Sequence, residues 1–208
     1  MNLGLGNLTE LKAQGLAEAL RSGTRYDARL IAVGKGAAAA IEQFCNRKFG
    51  RVVGDTYTGP ADRTHCILPR YPVESISQVE FKSDETTGFV VQTDNAYVAL
   101  KSESGIVHFG ASLGPHWSQI RITYTGGFWF DETEENNDTL PSGATALPQD
   151  VKLAWYLHCQ TIWQTLDKLG TDITKTGTAQ TTGATLSGLD MSPAVKAMLG
   201  QFIRYAMI

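Results

Sequence analysis

The stretch 147–166 constrains the fold of this chain more than any other. Pro148 suits a first helical turn because it has no backbone N–H and a fixed φ, and Gly170 is a fitting place for the helix to end. The apolar side chains recur at steps of three and four residues, so they share one helical face: Val151, Ala154, Trp155, His158, Ile162 and Leu166. The sequence therefore predicts a core helix over 148–166, onto which the rest of the chain folds.

A second long helix is predicted over 27–46, with Thr24 or Asp27 as its N-cap. Its apolar face should comprise Leu30, Ile31, Ala37, Ala38, Ile41, Phe44 and Cys45. Gly34, Gly36 and the alanines that follow remove side-chain bulk, so we expect the tryptophan-bearing helix to approach closely. Each interior glycine costs about 1 kcal/mol of helix stability relative to alanine, which tight packing must offset.

Other segments predict a short helix and a β region. Asn7 and Glu10 have the spacing of a capping box, so a helix should begin near Leu8. Between residues 51 and 130 the hydrophobic period changes from helical to alternating, which is typical of strands. The predicted strands are 51–57, 65–68, 75–82, 89–92, 97–101, 105–109 and 119–124. They indicate an antiparallel β domain inserted between helices.

The last third of the chain contains an acidic loop, a linker and a final helix. Residues 131–138 hold five carboxylates and no basic side chain, which predicts a solvated loop. Residues 171–190 are rich in Thr and Gly, which is typical of an extended or mobile linker. Ser192 and Pro193 open a helix with an apolar stripe. Such a stripe fits packing onto the core or docking into another protein, and the long linker favours docking.

Composition narrows the classes of protein. The 208 residues carry a formal charge of −3, which excludes a generally basic nucleic-acid-binding protein. No apolar run approaches the roughly 18 residues of a membrane span, and the first residues lack the basic region of a signal peptide. Cys45, Cys66 and Cys159 are an odd, widely spaced set, so we expect buried, reduced thiols and synthesis in a cytosol.

No residue pattern predicts catalysis, a cofactor or a metal site. His65 and Cys66 are adjacent on a predicted strand, so their side chains point to opposite faces and do not form a nucleophile–base pair. The C-x-x-C, H-x-x-x-H and H-E-x-x-H spacings of metal sites do not occur. Gly34-Lys35-Gly36 lies inside a helical pattern and is not a phosphate-binding loop. We therefore expect a protein that is not an enzyme and needs no cofactor.

Together these elements predict an α+β fold. A small helical bundle carries an inserted antiparallel β domain and an extended C-terminal tail that ends in an amphipathic helix. The predicted helical scaffold is 1–50 and 147–170, and the predicted β domain is 51–130. The acidic loop occupies 131–146, and residues 171–208 form the linker and the partner-docking helix.

Four segments, in order along the chain, resemble a known family. They are the helix at 24–47, the Pro-containing strand segment at 67–79, the strand and Gly-Gly turn at 120–128, and the helix start at 147–154. These segments resemble the head–tail connector (adaptor, or head-completion) proteins of tailed bacteriophages, over about residues 24–165. The resemblance implies a virion protein at the head–tail interface, made in the cytoplasm of the bacterial host.

The resemblance also implies how such a protein assembles. Twelve copies would form a ring that binds the portal protein and receives a downstream connector or tail protein, away from any membrane. The ring would extend the channel through which double-stranded DNA passes without sequence-specific binding. Because the family often grips the portal with a C-terminal segment, the implied portal-binding residues are Val195, Met198, Leu199, Phe202, Ile203 and Tyr205.

Three alternative functions stay open at this point. One is a tail-completion or tail-terminator protein, which also forms a ring. Another is a hydrolase that uses His108 or His116 with a carboxylate of the acidic loop. The third is a glycan-binding β module that uses Trp117 and Trp129.

Overall fold

The computed structural model describes residues 3–14, 23–84, 86, 88–92, 99–111, 114–115, 118–133, 138–171 and 190–204. Its α-helices are α1 (Leu8–Ala13), α2 (Asp27–Cys45), α3 (Gln149–Thr171) and α4 (Pro193–Leu199). Its strands are β1 (Val52–Pro60), β2 (His65–Ile67), β3 (Val73–Lys82), β4 (Val90–Val91), β5 (Ala99–Lys101), β6 (Ile106–His108), β7 (Gln119–Gly126), β8 (Phe128–Trp129) and β9 (Thr145–Ala146). The predicted α+β class is confirmed.

The chain divides into two compact units. The helical unit comprises Met1–Asn46, Asp131–Thr139 and Leu147–Ile208. The β unit comprises Arg47–Phe130 and Leu140–Ala146. The residues predicted as one acidic loop at 131–146 are therefore shared between the two units. Among the described residues, no helix combines the length and the apolarity needed to cross a bilayer.

Helices α2 and α3 pack closely in the helical unit, as their sequences predict. The Trp155 side chain is fully buried, and its indole N–H donates a hydrogen bond of 2.9 Å to the carbonyl oxygen of Gly34. A Cβ added to Gly34 would lie 3.0 Å from Leu3 Cδ1 and 3.4 Å from Trp155 Cζ2, so the glycine makes room for this contact. Leu3 and Leu5 are also fully buried, although so short a segment was not predicted to be internal.

The second glycine of α2 has no such role. Gly36 is exposed, and a Cβ added there would meet nothing within 4 Å. We therefore expect Gly36→Ala to raise the free energy of unfolding by roughly 0.5–1 kcal/mol, because alanine loses less backbone entropy in a helix. Chemical denaturation checks this, with Gly34→Val as the matched substitution that should destabilise. A loss of stability in Gly36→Ala would contradict the assignment of Gly36 to an open helix face.

Some predicted helix ends are confirmed and others are wrong. Asn7 caps α1 by accepting a hydrogen bond of 2.8 Å from the Glu10 N–H, and Ser192 caps α4 by accepting one of 3.3 Å from the Val195 N–H. The predicted caps of α2 are wrong: Tyr26 is the N-cap, and its side chain makes no capping bond. The predicted end of α3 at Gly170 is also wrong, since the helix continues to Thr171; glycine weakens a helix without breaking it.

The β unit contains a four-stranded antiparallel sheet with the strand order β1-β7-β3-β4. The order in a second antiparallel sheet is β2-β6-β5, and β8 pairs with β9 in parallel. All seven predicted strands are present with shifted ends, whereas β8 and β9 were not predicted. On β7, Ile120, Ile122 and Tyr124 are fully buried and alternate with half-buried residues, as predicted. They form one core with side chains of both antiparallel sheets, which include Val79 and Val107.

Candidate assembly surfaces

The structure divides the predicted portal-binding residues into two groups, and the apolar stripe runs from α4 through the 3-10 turn Gly200–Phe202 to Ile203, so the predicted helix ends earlier than expected. Val195 and Leu199 are fully buried in the helical unit. Met198, Phe202 and Ile203 are half-buried and keep part of their side chains at the surface. Tyr205 and residues 172–189 of the predicted linker lie outside the described residues. The stripe therefore has an inner side that packs within the unit and an outer side that a partner can reach.

The chain after α4 folds back onto the helical unit through hydrogen bonds. The Arg204 N–H donates to the Cys45 carbonyl oxygen at 2.8 Å, and the Asn46 side-chain amide donates to the Arg204 carbonyl oxygen at 3.3 Å. The Gln201 amide also donates to the Asp150 carboxylate at 3.1 Å. The apolar stripe was compatible with packing onto the core or with docking into another protein. The structure shows the packing onto the core. Binding of the portal stays a prediction.

The edges of the four-stranded sheet expose valine side chains. The described residues with large, exposed apolar side chains are Val52, Val53, Val90, Val91, Leu140 and Leu153. The first two lie on β1 and the next two on β4, which are the two outer strands of this sheet. The exposure of these four valines was not predicted, because an alternating pattern does not reveal which strand lies at an edge.

Three arginines of the β unit are paired with carboxylates of the same unit. Arg121 donates two hydrogen bonds to Glu80, of 2.5 and 2.7 Å, and this bonding lowers the pKa of the Glu80 carboxyl. Arg51 binds both oxygens of Glu74 at 2.6 and 2.9 Å. Because both guanidinium groups are engaged in bidentate pairs, they are poorly placed to hold the phosphates of nucleic acid.

A third arginine–carboxylate pair also binds a buried tyrosine. Arg70 donates to Asp55 at 2.7 Å, and the Tyr124 hydroxyl donates to the same carboxylate oxygen at 3.3 Å. Burial and, secondarily, the negative charge of Asp55 raise the pKa of Tyr124. The phenol therefore stays protonated and serves as a hydrogen-bond donor that fixes β7 to β1.

Asp131 anchors the start of the acidic loop and does not project into solvent. Its side chain is buried and accepts hydrogen bonds from the Thr133 N–H at 2.7 Å and from the Asp138 N–H at 2.9 Å. Burial acts to raise the pKa of Asp131, but the hydrogen bonds prevail and the pKa lies below its ordinary value. The Asn7 amide donates to the Asp131 carbonyl oxygen at 3.1 Å. Residues 134–137 lie outside the described part of the chain.

The cysteines are buried within their units. Cys45, Cys66 and Cys159 are free thiols and buried, which confirms the prediction of small apolar core residues. Burial raises the pKa of Cys159 to about 12, so its thiol stays protonated and unreactive.

The three described histidines lie at two separate places, His158 in the helical unit and His65 with His108 in the β unit. His158 is buried, and burial lowers its pKa, although the charge of Asp190 acts in the opposite direction. His65 lies opposite His108 across β2 and β6, with the ring centroids 6.0 Å apart. His116 and Trp117 lie outside the described residues. Within the described part of the chain, no three His, Cys, Asp or Glu side chains group as a metal site would require.

Comparisons with known proteins identify relatives of the fold. No family model and no curated protein matches the sequence. Among solved structures, the chain resembles one from the neck of an empty GTA particle computed with C6 symmetry, with 16% identity and a TM-score of 0.50. It also resembles one from the virion of a native gene transfer agent (GTA) particle, with 15% identity and a TM-score of 0.53. Each likeness covers 96% of this chain and 89% of the other. At such low identity these likenesses establish a shared fold.

Proposed function

We propose that this chain is a non-enzymatic structural protein of the virion neck, where head and tail meet. The supporting observation is the fold that it shares, over 96% of its length, with a chain from the neck of a GTA particle. The ordered segments that resemble phage head–tail connectors support the same role independently. Synthesis in the host cytoplasm fits its three free, buried thiols.

In this role, copies of the chain form a ring that joins the portal to the tail. A neck with six-fold symmetry holds its proteins in multiples of six, which is compatible with the twelve copies that the connector resemblance implies. The ring would continue the DNA channel and offer its far side to the next connector or tail protein. Because the portal and the tail would bind opposite sides of the ring, the chain needs two separate contact surfaces.

The charge distribution suits passage of DNA without retention. Affinity for the phosphate backbone rises with each Lys or Arg that contacts it. This chain has a formal charge of −3, and Arg51, Arg70 and Arg121 are each paired with a carboxylate of the β unit. If these three arginines faced the channel, their pairing would weaken any hold on phosphate.

Contact with the portal is assigned to the outer side of the α4 stripe. Met198, Phe202 and Ile203 retain exposed apolar surface, and Tyr205 follows them in the sequence. Val195 and Leu199, which are buried, would orient this surface without touching the portal. Met198 lies on α4, whereas Phe202 ends the 3-10 turn Gly200–Phe202 and Ile203 follows it, so the portal would contact the last turn of α4 together with the segment after it.

Native mass spectrometry of the purified protein, alone and mixed with the portal protein of the same particle, tests the proposal. We expect a ring of multiple copies that co-migrates with the portal, and electron microscopy should show it coaxial with the portal. The double variant Met198→Asp, Phe202→Asp should lose the portal while Ala194→Asp, Ala197→Asp, at exposed positions of α4, should keep it. A persistent monomer that never co-migrates with the portal would refute the proposed function.

A further inference from the structure

Two pairs of exposed valines lie at opposite edges of the same sheet. Val52 and Val53, on β1, are 38% and 68% exposed, and Val90 and Val91, on β4, are 55% and 48% exposed. In the order β1-β7-β3-β4, each of these strands has one hydrogen-bonded neighbour among the described residues. Exposed apolar edge strands tend to pair with another chain unless something covers them.

The two valine pairs are too far apart to cover each other within one copy. Three strand spacings of about 4.8 Å separate β1 from β4, which amounts to roughly 14 Å across the sheet. Along the strands, Val52 lies level with Gly126 of β7, while Val91 pairs with Glu80, which lies level with Arg121. The five positions between Arg121 and Gly126 add roughly 17 Å at about 3.4 Å per residue.

We propose that the β1 edge of one copy packs against the β4 edge of a second copy of this chain, with the two valine pairs at the centre of the contact. This inference rests on the proposed ring and names the surfaces that close it. The surfaces are different, so the contact is heterologous, and repeated heterologous contacts generate a ring when the rotation between copies closes. A contact of one edge with itself would stop at a dimer.

The backbone at these edges favours a contact between side chains. It disfavours a long ladder of backbone hydrogen bonds to a strand of another copy. Pro60 lacks an N–H at one end of β1, a bulge between Val52 and Asp55 interrupts its register at the other, and β4 has two residues. Such features limit uncontrolled strand addition. The exposed Thr56, Thr58 and Gln92 can then supply a polar rim around the valines.

Single substitutions at each edge test the contact. Val53→Asp and Val91→Asp should each convert the ring to species of one copy, with a mass of 22.6 kDa, in native mass spectrometry. Both side chains are exposed, so the far-UV circular dichroism spectrum of each variant should match that of the wild type. Leu153→Asp, at an apolar position of α3 that is 47% exposed, is the matched control and should keep the ring.

Mixing the two variants provides the decisive measurement. A Val53→Asp copy retains an intact β4 edge and a Val91→Asp copy retains an intact β1 edge, so the mixture should form one-to-one pairs of twice the monomer mass and nothing larger. Intact rings in either single variant, or a mixture that stays monomeric, would overturn the inference.

The wild-type protein separates this inference from the proposed function. The oligomeric mass of every sample is measured alone and after mixing with the portal protein. If the wild type forms a ring and Val53→Asp forms one equally well, the proposed function stands and the edge contact is wrong. If the wild type forms no ring in either condition, the proposed function and the edge contact both fall.

Discussion

Replacing Trp155 by alanine is expected to lower the free energy of unfolding of the helical unit by about 3–5 kcal/mol. The indole extends from α3 against α2 and is fully buried, so its removal leaves a cavity that the surrounding backbone cannot fill. The substitution also removes the hydrogen bond that the indole donates to Gly34. Gly6 and Gly34 have no side chains with which to occupy the space, which favours a cost near the upper end of that range.

Chemical denaturation followed by far-UV circular dichroism measures this effect, because the helical unit contains the long helices. Trp163→Ala is the matched control: this tryptophan lies on the same helix but is half-buried, with its ring 6.0 Å from that of Tyr26. Trp163→Ala should lower the free energy of unfolding by clearly less than Trp155→Ala. Equal effects of the two substitutions would show that the Trp155 contact is not the centre of the helical core.

Leu199→Asp is expected to destabilise the helical unit by at least about 3 kcal/mol. A buried leucine loses roughly that much when it is merely truncated to alanine, and a carboxylate placed in the same apolar site adds a desolvation cost. Leu199 has no exposed surface, so the charge would have no path to water unless α4 detaches. The expected result is therefore a lower melting temperature or a displaced C-terminal helix.

Thermal denaturation and limited proteolysis of the C-terminal segment distinguish these two results. Ala197→Asp places the same charge on the exposed side of α4 and should change the free energy of unfolding by less than about 0.5 kcal/mol. If Leu199→Asp were as stable as Ala197→Asp, α4 would be a detachable arm and not part of the core. The apolar stripe would then be free for docking along its whole length.

The sequence predicts where helices and strands lie because hydrophobic period is a local property. The alternation of Ile120, Ile122 and Tyr124 defines one face of β7, and the spacing of Val151, Ala154 and Trp155 defines one face of α3. Caps with a dedicated side-chain acceptor, at Asn7 and Ser192, are equally local. Where the backbone alone closes the first turn, as at Tyr26, the sequence contains no such signal.

The sequence by itself also determined the close approach of α2 and α3, because a glycine in a helix interior is unfavourable unless a neighbour needs the space. That reasoning holds for Gly34 and fails for Gly36, since both glycines look alike until the position of Trp155 is known. Likewise, the apolar stripe of α4 fits packing and docking equally well. The burial of Leu199 assigns this side chain to packing, whereas Phe202 is half-buried and keeps part of its surface exposed.

Only the tertiary structure decided which strands are edges and where their valines point. β1 and β7 have similar alternating patterns, yet within the described part of the chain β7 lies between two strands and β1 pairs with one. Strand order depends on pairing between residues that are far apart in sequence, such as Tyr57 with Ile122, and no local pattern encodes it. The candidate contact surfaces of the β unit therefore became visible only in the fold, because strand order is set by pairing between distant residues.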